Sequence, residues 1–93
     1  MVGDKIKRLT VGETLEQRAA THGSFVGVAC AAQTIKEVIA RHSDNLNYPQ
    51  TEALDMIASK IARICAGNSD EPDHWKDIAG YATLILNELE EDQ

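Results

Sequence analysis

Aromatic side chains are scarce in this 93-residue chain. Phe25, Tyr48, Trp75 and Tyr81 are the whole set, so a core built on aromatic stacking is excluded. Basic residues are outnumbered, nine Lys and Arg against fifteen Asp and Glu, and the formal net charge is −6. That balance argues against a nucleic-acid backbone binder, which needs clustered Lys and Arg to displace counterions. The one basic cluster, Lys5, Lys7 and Arg8, sits beside Asp4 in a short N-terminal segment. No apolar run of membrane-spanning length and no signal-peptide h-region occurs. A soluble cytoplasmic protein with neither a nucleic-acid nor a membrane partner is therefore expected. No alternating pattern of useful length supports a strand, and no repeat or low-complexity run is visible.

Cysteine is also sparse. Cys30 and Cys65 both fall inside apolar helical patterns, where a free thiol behaves as a small hydrophobe. They are expected in the core rather than in a disulfide. His22, His42 and His74 are scattered, and none forms a Cys or His pair of zinc spacing. The two histidines His22 and His42 fall near helix C-termini, where an imidazole suits the dipole. No P-loop, dinucleotide fingerprint or nucleophile elbow is present.

What remains reads as helix from end to end. Thr10 and Glu13 have the spacing of a capping box, which opens a first helix over 11–22. Gly23 is a natural stop. Ser24 can cap a second helix at once. Its apolar positions Val28, Ala31, Ala32, Ile35, Val38 and Ile39 follow a three-four spacing, and it ends near His42. Pro49 suits the first turn of a third helix, with Leu54, Ile57, Ile61 and Ile64 as a stripe and Gly67 at its close. Asn68, Ser69 and Asp70 form a loop that offers caps. Pro72 starts a fourth helix, with Glu71 and Asp73 complementing its dipole, that runs to about Glu90. The fold class is all-α, a small antiparallel bundle of about four helices in one domain. Within it, 1–9 is an N-terminal segment, 10–90 the helical core and 91–93 an acidic tail. A short aliphatic chain has a thin core, so a homo-oligomer is expected.

The acids carry the chemical interest. Glu52 and Asp55 are three residues apart and project together, nearly opposite the Leu54–Ile64 stripe. On the fourth helix, Trp75, Ile78, Ala79, Ala82, Leu86 and Leu89 form the main apolar stripe, which places Trp75 in the core. Asp77 lies away from that stripe, flanked by Gly80, Tyr81 and Leu84. Glycine inside a helix costs about 1 kcal/mol against alanine, so Gly80 suggests close approach by another element. Asp77 would then sit in a second contact zone and need a cation, a donor or a metal as partner.

The segments "TEALDMIASKIARI" and "DHWKDIAGYA", with "EQRAATHGSF" before them, resemble a family of small proteins from tailed phages and prophages. More distantly, the pattern resembles the all-α MazG-like nucleotide pyrophosphohydrolases. Those enzymes hold Mg²⁺ with E-x-x-E on one helix and E-x-x-D on the next. The resemblance makes Glu52, Asp55, Asp73 and Asp77 metal candidates, and Glu52, Asp55 and Asp77 catalytic ones. His74, not an acid, stands three residues before Asp77, with Asp73 one residue further off. Lys60, Arg63 and Lys76 would contact phosphate oxygens of a nucleoside triphosphate, and Tyr81 would stack its base. The alternative is a non-enzymatic phage accessory protein that binds a host protein in the host cytoplasm.

Overall fold

The computed structural model describes residues 10–22 and 24–91, with side chains described for all of these but 18–22. The basic cluster, Gly23 and the last two residues of the acidic tail lie outside the described residues. Among those described, the chain forms four helices and no strand: α1 Val11–His22, α2 Phe25–Arg41, α3 Tyr48–Ala66 and α4 Pro72–Glu91.

Local chemistry sets the helix ends. Thr10 Oγ1 accepts from the Glu13 N–H at 3.0 Å, and the Glu13 carboxylate accepts from the Thr10 N–H at 3.4 Å. This is the expected capping box. Ser24 Oγ accepts from the Gly27 N–H and caps α2. A second capping box opens α3: Asn47 Oδ1 accepts from the Gln50 N–H at 2.8 Å, and Gln50 Oε1 accepts from the Asn47 N–H at 3.0 Å. Pro49 occupies the first turn behind it. The α3–α4 loop is tied by Asn68, whose side-chain oxygen accepts from the Asp70 N–H.

The packing is open. α3 is central, with α2 and α4 on either flank, and α1 touches α2 and α3. Among the described residues α2 and α4 do not pack on each other. The short loops make α2, α3 and α4 an antiparallel layer. The molecule measures 56 × 30 × 22 Å with a radius of gyration of 16.8 Å, where a compact chain of this length has about 12 Å. Small side chains make the inter-helix seams. Val28 and Ala32 of α2 meet Ala62 of α3, and Ala53 and Ala58 are also buried. A Cβ added to Gly27 would stand 3.8 Å from the Ala66 Cβ, so the start of α2 runs near the end of α3.

Helix α4 does not lie as its hydrophobicity suggests. Its inner face is His74, Ile78, Tyr81 and Ile85, spaced four-three-four. The expected core stripe is one residue round and points outward. Of it only Ile78 turns inward, whereas Trp75 is 55 % exposed, Leu86 53 % and Leu89 47 %. Leu84 is exposed as well, and an added Cβ on Gly80 would meet nothing within 4 Å. The close approach expected at Gly80 is therefore absent among the described residues. Cys30 and Cys65 are free and exposed, not core. The facing of α4 has a physical cause: a single α3 neighbour cannot cover both of its apolar sides.

Candidate functional site

The polar groups that meet lie between α3 and α4. Lys60 and Arg63 are three residues apart on α3, and His74 and Asp77 three apart on α4, so each pair projects from one face. Lys60 Nζ stands 2.9 Å from Asp77 Oδ2, with the Lys60 side chain 20 % and the Asp77 side chain 46 % exposed. The hydrogen bond from Lys60 holds the Asp77 carboxyl below its ordinary value. Partial desolvation opposes this, while the charges of Lys60 and His74 add to it. Asp77 thus has the cationic partner its position called for, and that partner is a lysine.

His74 is the largest fully buried side chain, at 1 % exposure. Sequence reasoning gave it no structural role. The available signal was its place on the four-three-four inner face with Ile78, Tyr81 and Ile85. Arg63 is half-buried, and its Nε is buried with no hydrogen-bond partner among the described residues. An orphan donor of this kind is costly unless something outside the chain accepts from it.

The other candidates lie apart. Glu52 is exposed on the first half of α3. Asp55 is half-buried and faces α2, not α4. It borders a groove of about 590 Å³ with Lys36, Glu37, Ser43 and Thr51, where Glu37 is bonded to Arg41 at 2.6 Å. Asp73 and Lys76 are exposed on α4, and Tyr81 is half-buried. Lys60 marks the level of Asp77 along α3. Asp55 lies about 7.5 Å and Glu52 about 12 Å from that level, at 1.5 Å rise per residue. Among the described residues no three His, Cys, Asp or Glu side chains form a group that would hold a metal ion. Mg²⁺ takes close, near-octahedral oxygen ligands, and the described acids of α3 and α4 stand at different levels of the helix pair.

Trp75 is fixed rather than free. Its indole N–H donates to the Ser69 carbonyl at 2.8 Å, which pins the ring beside the α3–α4 loop with much of its surface outward. No described helix is long and apolar enough to cross a membrane. No family model, curated protein or solved structure matches this chain.

Proposed function

We propose that this chain is a non-enzymatic accessory protein that works through protein–protein contact on the outward apolar side of α4. The observation that carries this is the outward stripe of Trp75, Leu86 and Leu89. Soluble monomers rarely leave a contiguous apolar stripe uncovered, and such patches mark interaction sites. The resemblance to small phage and prophage proteins supplies the setting, a host cytoplasm. A photo-crosslinking residue at Ala79, in the middle of the stripe, tests it in cells. A discrete protein adduct is expected at Ala79 and not at Asn87, which lies off the stripe. No adduct at either position overturns the docking role.

A second proposal, a Mg²⁺-dependent nucleotide pyrophosphohydrolase, is favoured by one observation. On a helical wheel Glu52, Asp73 and Asp77 fall on one side of the layer, opposite the apolar stripe. The acids would meet only if α3 and α4 shifted or another copy contributed its own. Thermal unfolding with added Mg²⁺ or Mn²⁺ decides this. Stabilisation that disappears in Asp77→Asn supports metal binding; an unchanged Tm contradicts it.

A further inference from the structure

The outward stripe of α4 has a period that names its occupant. Trp75, Ala79, Ala82, Leu86 and Leu89 are spaced four, three, four and three. That is the seam of a two-helix coiled coil, in which each apolar knob enters a hole on a facing helix. The seam runs for about 21 Å, at 1.5 Å per residue. It is not isolated. In an antiparallel hairpin the wheel puts Leu54, Ile61 and Cys65 of α3 on the same side of the layer, and Leu54 and Cys65 are exposed.

The uncovered surface is large enough for a partner. The chain exposes 7158 Å², where a compact monomer of its mass exposes about 5,300 Å². A stable interface removes roughly 600–1,000 Å² from each partner, which the difference accommodates.

We propose that the occupant is a second copy of this chain, its α4 lying antiparallel on the first about a two-fold axis at Ala82. This rests on the docking role of α4 proposed above. Such an axis makes the interface self-complementary, the ordinary geometry of a homodimer. Trp75 then packs on the partner's Leu89, and the small Ala82 pair lets the helices approach. Charge selects the orientation. Lys76 and Glu90 flank the seam at equivalent positions, and both are exposed. In the antiparallel register Lys76 stands about 3 Å along the seam from the level of the partner's Glu90, within side-chain reach, and the reverse pair forms at the other end of the seam. In a parallel register the acidic ends, with Glu88, Glu90 and Glu91, would lie side by side and repel.

Sedimentation equilibrium of the full chain tests this. Wild type is expected at twice the chain mass of 10.2 kDa. Leu86→Glu is expected at 10.2 kDa with its helical circular dichroism retained. Should Leu86→Glu unfold, the surface charges give an independent test. Lys76→Glu and Glu90→Lys should each weaken the dimer by about tenfold, and the double exchange should restore it. A wild type that stays monomeric through the micromolar range overturns the second copy as occupant. A dimer indifferent to Leu86→Glu overturns the seam, and failure of the double exchange to restore it overturns the antiparallel register. An Ala79 crosslink to a different protein, beside a monomeric wild type, keeps the docking role and removes self-pairing alone.

Discussion

Lys60 and Asp77 join α3 to α4 through a 2.9 Å ion pair at the edge of the helix–helix contact. The acid that sequence patterning marks for a partner is thus neutralised within the chain. Removing it leaves a largely covered ammonium without its carboxylate, which is worse than removing both. Asp77→Asn is expected to lower Tm at neutral pH, and Lys60→Met to do the same. The double variant should lose less than the sum of the two, and a double-mutant cycle in urea measures that coupling.

Acid should erase the pair. The Asp77 carboxyl titrates below its ordinary value of 3.8 because Lys60 is bonded to it. A group depressed by folding stabilises above its unfolded value, and that contribution fades as pH falls through the folded one. Wild type and Asp77→Asn should therefore differ in Tm near neutrality and converge below the ordinary aspartate value. Paired melting curves across that window check the convergence.

Gly80 faces open space on the outer side of α4. It has helical backbone, so alanine fits without strain. Gly80→Ala should stabilise the protein by about 0.5–1 kcal/mol, through helix propensity and a less flexible unfolded chain. Chemical denaturation reads this directly. A loss of stability would reveal a neighbour on that side.

The α3 capping box makes a comparable prediction of opposite sign. Asn47→Ala removes the acceptor of the Gln50 N–H, and a lost N-cap costs about 1 kcal/mol. The urea midpoint should fall with its slope unchanged.

Ala62 is fully buried where α2 meets α3. A leucine there has no room, and overpacking costs about 1–3 kcal/mol. Ala62→Leu should fall at the damaging end of that range. The more exposed Ala66 should lose less on the same change.

The helices were legible in the sequence because their ends are local. Thr10 with Glu13, Ser24, Pro49 and Pro72 act within one turn, and each marks a boundary that the fold keeps. The Asn47–Gln50 box beside Pro49 carries the same kind of signal. The facing of α4 was not legible. An apolar stripe states that a side will be covered, not by what. On that ground Trp75, Leu86 and Leu89 read as core, but the inner face belongs to His74, Ile78, Tyr81 and Ile85. The partner of Asp77 was hidden for a related reason. Lys60 reaches it only through the register of two crossing helices, which no spacing within either helix encodes.

The chain has one tryptophan, and it lies on the α4 seam, so its fluorescence reports the proposed cover. Emission from Trp75 should be blue-shifted and shielded from acrylamide at high protein concentration. On dilution it should move to the red and become quenchable, in step with dissociation of the dimer. Emission that is red and freely quenched at every concentration, with the helices intact, would contradict the covered seam.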